Sequence, residues 1–351
     1  REPGEGSNEN LHDIRIFKMP LRRNRSGVGY LLGYPAFFLL AAIFLSYRFV
    51  FKCDYDLIHV HNMPDFLVFS AILPKILGKN ILLDVHDPMP ELFSTIFGKR
   101  ANRFLLSLIR WQSRLSYRFA DHVITVHNGM RELLIERGVS PDRIDVIHNF
   151  PDASVFGGSK AKPLSRKSMT ITYAGTVSQR HGLDVAIQAL KLLNDQMPDI
   201  QLKIVGDGPD IPQLKGIAEE YGLSDQVVFT GVVPLEQVPQ ILASSDASVA
   251  PYADDPYGAL VFPTKVMESF MVGLPVICSR TPTVMRYMGE DSLFLFDLGD
   301  PTSLAEQIKL IRTEEDLVAK KLKNAQAFLD RMNWETEKEK LFQIVKNWTH
   351  S

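Results

Sequence analysis

Phe262-Pro263-Thr264-Lys265-Val266-Met267-Glu268-Ser269-Phe270-Met271-Val272-Gly273-Leu274-Pro275-Val276-Ile277 sets a short apolar helix directly ahead of a β-like run, with Gly273 closing the helix. Lys265 and Glu268 stand three residues apart near the start of that helix, so they share one face. Backbone N–H groups and the dipole at a helix start favour an anion. A cation, open N–H groups and a carboxylate together suit a diphosphate and the hydroxyls of a ribose. The plainer reading is a surface ion pair worth about 0.2–0.5 kcal/mol. Spacing alone leaves both open.

Outward from this stretch the helix–strand step repeats. In the second half, strands are expected at 171–174, 201–205, 227–229, 247–249, 275–278 and 293–296. Helices are expected between them at 183–193, 211–221 and 235–243, and after them at 303–312, 315–331 and 336–348. The first half repeats the pattern, with strands at 56–60, 80–85, 122–126 and 144–147 and helices at 64–77, 103–119 and 130–137. Such alternation implies parallel sheets covered by helices on both faces. The expected fold class is α/β, with two doubly wound Rossmann-like domains facing across a cleft. The expected division is 1–152, an aperiodic linker at 153–168, a second domain at 169–332, and a C-terminal helix at 333–351 packing back on the first domain.

A chain of 351 residues exceeds one typical core, and 45% apolar with 23% charged residues is a globular composition. A net charge of −2 gives no general case for nucleic-acid binding. Cys53 and Cys278 read as buried thiols rather than a disulfide. Tyr30–Tyr47 is a run of 18 uncharged residues, at the lower limit for a membrane span. Arg22, Arg23 and Arg25 precede it, and Arg48 and Lys52 follow it. A core helix, an interfacial membrane-contacting helix and a span all remain open readings.

In doubly wound sheets, ligands sit beyond the carboxyl ends of the strands, where strand order reverses. That rule singles out the loops at 175–182, 206–209, 231–234 and 251–264, and in the first half those at 61–65 and 86–91. Gly175 would let the backbone approach a phosphate, and Arg180 offers a bidentate fork; an ordinary loop with an exposed arginine is the alternative. Gly206-Asp207-Gly208-Pro209 lacks the third glycine of a dinucleotide fingerprint, since Ile211 stands there, and no Walker motif occurs. His86 is expected at a strand end, hydrogen-bonding a sugar hydroxyl or satisfied by backbone. His59 and His61 are read as facing opposite sides of the sheet and unable to share a metal, and no metal-ligand set is expected. Asp54-Tyr55-Asp56 precedes a strand and reads as solvated. No Gly-x-Ser-x-Gly elbow points to a hydrolase. Asp254 and Asp255 either bind donor hydroxyls or cap the following turn.

These residues together resemble the family-4 retaining glycosyltransferases of the GT-B fold, of the type that assembles bacterial polysaccharides and lipid-linked glycans. The matching features run in order through His59–Asp65, Asp84–Glu91, Ala120–Val126, Tyr173–Thr176, Arg180–Asp184, Ile204–Pro209, Phe229–Gly231 and Pro263–Ile277, nearly the whole chain. By this resemblance Glu268 is the second glutamate of a Glu-x7-Glu signature and binds the donor ribose, while the first glutamate is replaced by Leu260. The family's phosphate-binding arginine and lysine fall on Thr176 and His181, with Arg180 and Lys265 as the expected substitutes. His86 matches an acceptor-domain histidine near the reaction centre. The implied donor site comprises Gly175, Thr176, Arg180, Gly206, Gly208, Val232, Gly258, Ala259, Leu260, Thr264, Lys265 and Glu268, with His86, Lys265 and Arg180 catalytic.

The resemblance further implies transfer from a nucleotide diphospho-sugar to a hydroxyl acceptor, with no cofactor and no metal. Implied partners are the sugar-nucleotide donor, a glycan or lipid-linked acceptor and a peripheral membrane contact through residues 22–52, with no nucleic acid. The implied location is cytoplasmic, at the inner face of the cytoplasmic membrane. Arg1–Asn10 looks like the loop after the family's second strand, so the first domain is expected to be truncated and to lack its first strand. The alternatives are a GT-B nucleotide-sugar epimerase and a non-catalytic sugar-nucleotide-binding fragment.

Overall fold

A computed structural model describes residues 9–11, 14–19, 21, 27–52, 55–97, 102–164, 168–255 and 257–349. The chain divides into two units, one running through Ile147 and taken up again from Leu341, the other spanning His148–Lys340.

In the first unit, β1 (Glu9–Leu11) and β2 (Ile14–Ile16) form an antiparallel pair. Glu9 and Asn10, expected in a loop, are therefore strand; the rest of that expected loop lies outside the described residues. After helix α1 (Gly27–Lys52), β3 (Leu57–His61), β4 (Asn80–Val85), β5 (His122–Thr125) and β6 (Ile144–Val146) form a parallel sheet in that order. Helices α2 (Ile72–Ile76), α3 (Met89–Phe97), α4 (Arg103–Phe119) and α5 (Asn128–Glu136) fill the connections. The helix expected at 64–77 is a 3-10 segment, Asp65–Ala71, followed by α2. β4 is buried on both faces, as a central parallel strand must be. Ile81, Leu83 and Val85 pack with Tyr117, Met130 and Leu134 on one side, while Leu82 meets Ile124, Ile147, Leu341 and Ile344 on the other.

The core-helix reading of Tyr30–Tyr47 is overturned. Helix α1 runs on through Pro35 to Lys52, and the apolar stretch at 33–52 has no buried residue. Ile43 and Phe51 are 66% and 71% exposed. A narrow inner side suffices to hold the helix, with Phe38 edge-on to Phe66 at 6.0 Å and the Tyr55 hydroxyl donating to the Leu45 carbonyl at 2.8 Å. Arg22, Arg23 and Arg25 lie outside the described residues, as do Cys53 and Asp54. Asp56, 72% exposed along its side chain, is solvated.

The second unit opens with α6 (Ala153–Phe156) inside the expected linker. Phe156 is buried against Leu242, Val272 and Leu274, so packing ties this stretch to the second unit and the division falls earlier, after Ile147. Its polar, glycine-containing composition carries no trace of that contact. In chain order come β7 (Met169–Ala174), α7 (Leu183–Leu193), β8 (Ile200–Val205), α8 (Ile211–Glu220), β9 (Val227–Gly231), α9 (Val238–Ala243) and β10 (Ala247–Ala250). They are followed by α10 (Thr264–Val272), β11 (Val276–Ser279), α11 (Pro282–Tyr287), α12 (Gly289–Ser292), β12 (Phe294–Phe296), α13 (Pro301–Thr313), α14 (Glu315–Arg331) and α15 (Trp334–Thr349).

The six strands are parallel in the order β12-β11-β10-β7-β8-β9. Alternate residues along them feed two cores: Val249, Ile277, Phe294 and Phe296 on one face, Ala250, Val276, Cys278 and Leu295 on the other. Strand order reverses between β7 and β10, which marks their carboxyl ends as the switch point of this sheet.

Candidate functional site

The loops after β7 and β10 and the start of α10 meet at that switch point. Gly175, at φ +150°, lies directly over the Lys265 ammonium, since a Cβ there would come 3.3 Å from both Lys265 Nζ and the Tyr173 hydroxyl. Lys265 Nζ donates to Tyr173 OH at 3.1 Å and sits 4.4 Å from the centre of that ring. Tyr173 OH in turn donates to the Thr176 carbonyl at 2.6 Å. The ammonium is thus fixed by an aromatic face and a hydroxyl, neither of which cancels its charge. Burial lowers its pKa to about 8, against the raising influence of Glu268.

Glu268 is half-buried, and among the described residues no group donates to its carboxylate. Burial raises its pKa while the charge of Lys265 opposes the rise. The two side chains form no ion pair, so the surface-pair reading of their spacing does not hold. Helix α10 begins at Thr264 after Pro263, and no side chain caps it. One end of this sheet therefore gathers a fixed cation, an uncapped helix start and a carboxylate without a donor.

Arg180 stands in a 3-10 turn, Gln179–His181, with its guanidinium 5.2 Å from the ring centre of Tyr257. Its Nε is buried without a partner. His181, which takes the place of the family's lysine, has its pKa lowered to about 3 by burial, with Lys265 and Arg180 adding to the effect. It is a neutral group, with Nδ1 3.0 Å from Ser178 Oγ.

The glycines expected to face a ligand are also demanded by packing. A Cβ on Gly206 would lie 1.9 Å from the Gly175 carbonyl oxygen, and one on Gly208 would lie 1.8 Å from that of Val177. Backbone bonds stitch the same loops together, Gly175 N to Val205 O and Val177 N to Asp207 O, each at 2.9 Å. Thr176 is exposed, and Val232 is 76% exposed beyond β9. Gly258, Ala259 and Leu260 form a 3-10 turn ahead of α10. Of the two roles open to Asp255 the structure provides the cap: its Oδ1 accepts from Tyr257 N at 2.8 Å and Gly258 N at 2.7 Å. Asp254 is exposed, and Pro256 lies outside the described residues. A cavity of about 390 Å³, lined by Lys162, Asp246, Pro275 and Arg312 among others, sits at the opposite, amino ends of the strands.

In the first unit His86 follows β4, with its backbone N–H held by Asn62 Oδ1 at 2.9 Å. Its Nε2 is 3.0 Å from Asp84 Oδ2, an oxygen also approached by His61 Nδ1 at 3.1 Å and His59 Nε2 at 3.4 Å. The expectation that His59 and His61 face opposite sides is wrong. Residues two apart on a strand share a face, and their rings stack 4.3 Å apart. Donor atoms of His59, His61 and Asp84 lie within 4.8 Å of one another, so the geometric argument against a shared metal ion fails. Burial pushes the Asp84 carboxyl up, but hydrogen bonds from the three imidazoles outweigh it and hold the group far below its ordinary range. The bond to Asp84 raises the pKa of His86. The His-x-His spacing was the signal available for this cluster; Asp84 joins it because β3 and β4 pair with His61 opposite Asp84.

Comparison with known proteins gives the following matches. The family described as Glycosyl transferases group 1 matches residues 159–328, and that described as Glycosyltransferase Family 4 matches residues 4–155. A 2-deoxystreptamine glucosyltransferase of Streptomyces kanamyceticus is 24% identical over 311 residues, 85% of this chain and 78% of its own. The gpi3 subunit of the Schizosaccharomyces pombe phosphatidylinositol N-acetylglucosaminyltransferase is 26% identical over 251 residues, 70% of this chain and 51% of that one. Among solved structures, sucrose-phosphate synthase of Thermosynechococcus elongatus superposes with a TM-score of 0.77 at 20% identity, covering 98% of this chain and 86% of its own. Anabaena HepE, in complex with UDP and glucose, does so at 0.70 and 20%, covering 93% and 84%. At such identity the superpositions speak for the fold. The sequence relatives are transferases and lend the epimerase alternative no support.

Proposed function

The chain belongs to the family-4 glycosyltransferases of the GT-B fold, and on that premise we propose that it transfers a sugar from a nucleotide diphospho-sugar to a hydroxyl acceptor with retention of configuration. The observation that carries this reading is Lys265, held beneath Gly175 one turn from a carboxylate that accepts no hydrogen bond among the described residues. Lys265, Arg180 and the N-terminus of α10 bind the diphosphate, and Glu268 accepts from the ribose hydroxyls. As the bond from the anomeric carbon to the phosphate oxygen breaks, charge develops on that oxygen. Preformed positive groups stabilise such charge without reorganising. The acceptor oxygen attacks from the same face, its proton passing to the departing phosphate. These cations serve in place of a metal ion. UDP-sugars are the first donors to try, because the HepE structure holds UDP.

For the acceptor we favour a lipid-linked glycan met at the inner face of the cytoplasmic membrane, with residues 22–52 as a peripheral contact. The exposed apolar side of α1 supports this choice. The named substrate of the Streptomyces relative, 2-deoxystreptamine, makes a small polyol the comparison acceptor.

The test is transfer of labelled sugar from UDP-, GDP- and dTDP-sugars to a lipid-linked or a soluble acceptor, with the anomer of the product read by NMR. Lys265→Ala is expected to slow transfer by about 10²–10³, and Glu268→Ala to weaken nucleotide binding by about tenfold or more. Normal rates in both variants would sink the assignment. Nucleotide binding without transfer to any acceptor would favour a non-catalytic binding fragment.

A further inference from the structure

Helix α4 carries a feature that sugar transfer does not use. Its 17 residues include Arg103, Arg110, Arg114 and Arg118 and no acidic residue. Ser113, Ser116 and Tyr117 form its buried side. Ser113 Oγ and Tyr117 OH reach the buried Asp65 carboxylate at 2.6 and 3.4 Å, which fixes the rotation of the helix. Turned outward are Phe104, Leu108 and Trp111, which are 78%, 47% and 59% exposed. Their spacing of four and then three residues makes a single stripe. Arg103, Arg110 and Arg114, seven and then four apart, form a second row about 100° round the helix.

Scattered exposed apolar residues are ordinary. A continuous apolar stripe ending in tryptophan and flanked by a row of arginines is not scatter. None of the four arginines joins an ion pair among the described residues. Helix α1, with its own exposed apolar side, packs on the same 3-10 segment, Asp65–Ala71, as α4 does.

We propose that α4 seats the first unit on an anionic lipid bilayer, with Phe104, Leu108 and Trp111 entering the acyl boundary and the arginines binding lipid phosphates. Charge complementarity selects this occupant. The chain as a whole is weakly acidic, at −2, so attraction to an anionic surface must come from a local basic face such as this one. The proposal extends the membrane reading given for residues 22–52, but it stands on a different helix and a different interaction.

The experiment is sedimentation of the full chain with vesicles of phosphatidylcholine alone or mixed with phosphatidylglycerol. Arg103→Gln/Arg110→Gln/Arg114→Gln is compared with the parent, and Trp111 emission is followed in a Trp334→Phe/Trp348→Phe background. At about fivefold per surface charge, the triple variant is expected to lose on the order of 100-fold in partitioning to phosphatidylglycerol vesicles. Trp111 emission is expected to shift to the blue when those vesicles are added. Undiminished binding of the triple variant overturns the proposal. So does unmoved Trp111 emission on vesicles that carry the protein, or equal binding to phosphatidylcholine alone. Self-association abolished by the same substitutions, with no vesicle binding, also overturns it in favour of a contact between copies. Thermal stabilisation by UDP checks the second unit in every variant. Its absence from the parent would sink the donor assignment and leave the vesicle result standing.

Discussion

Lys265 holds its charge against its surroundings. Protein packed round the ammonium brings its pKa down from 10.5 to about 8. Below pH 8 the group is protonated in the free protein; above it the cation is lost, so affinity for a nucleotide diphosphate falls as pH rises. The expected affinity for a UDP-sugar, whose doubly esterified diphosphate does not titrate in this range, is read by titration calorimetry; it is flat between about pH 6 and 7.5 and then drops by up to tenfold per pH unit, the limit for one proton. Lys265→Arg, whose guanidinium does not titrate in that range, is expected to remove the break. A break that persists in Lys265→Arg would assign the effect elsewhere. The i,i+3 spacing of Lys265 and Glu268 put both groups at one site, but it could not tell a pair from two separate ligand contacts. That distinction needed Tyr173 and Gly175, ninety residues away in sequence, which engage the lysine instead. The histidine trio around Asp84 was present in the sequence as His-x-His. Its meaning was misread because the two-residue period of a strand places such a pair on one face, not two.

At the scale of elements, most strands and the longer helices were legible from hydrophobic periodicity. Helix α4 begins and ends at the expected residues, 103 and 119. Short elements stabilised by neighbours were missed, such as α3 and α6, because a nine- or four-residue helix has little intrinsic stability. The glycine-rich loops were read as ligand-facing, whereas their first duty is to let two loops touch. Gly208→Ala drives a Cβ to 1.8 Å from the Val177 carbonyl oxygen, so one loop must move. It is expected to cost about 1–3 kcal/mol of stability, seen as a lower urea midpoint with an unchanged slope. A variant as stable as the parent would show that the loops separate freely. Helix α1 is the opposite case. Its uncharged run was plain, but whether that run is covered depends on what packs beside it, and one side alone meets the 3-10 segment and α2 while no residue of 33–52 is fully buried.

At the scale of the whole molecule, two α/β units account for the chain, with the C-terminal helix begun in one and finished in the other. Leu341 and Ile344 close the face of the first sheet formed by Leu82, Ile124 and Ile147. Leu341→Ala is therefore expected to destabilise the first unit by about 1–3 kcal/mol, the discount from a full core position reflecting partial burial. Hydrogen exchange in β4 should accelerate while exchange in β8 is unchanged. Equal acceleration in both strands would mean that the units unfold as one. What could be read without coordinates was whatever short windows encode: the helix–strand alternation that makes the class α/β, the reversal-point loops, and the Lys265–Glu268 turn. Contacts between distant residues had to come from the folded chain. They decided that the units divide after Ile147, that Asp255 caps a turn, that Gly206 and Gly208 serve packing, and that α1 and α4 keep their apolar sides outward. Periodicity and turn chemistry act over a few neighbouring residues, while burial and partner choice are set by segments that meet only when the chain has closed.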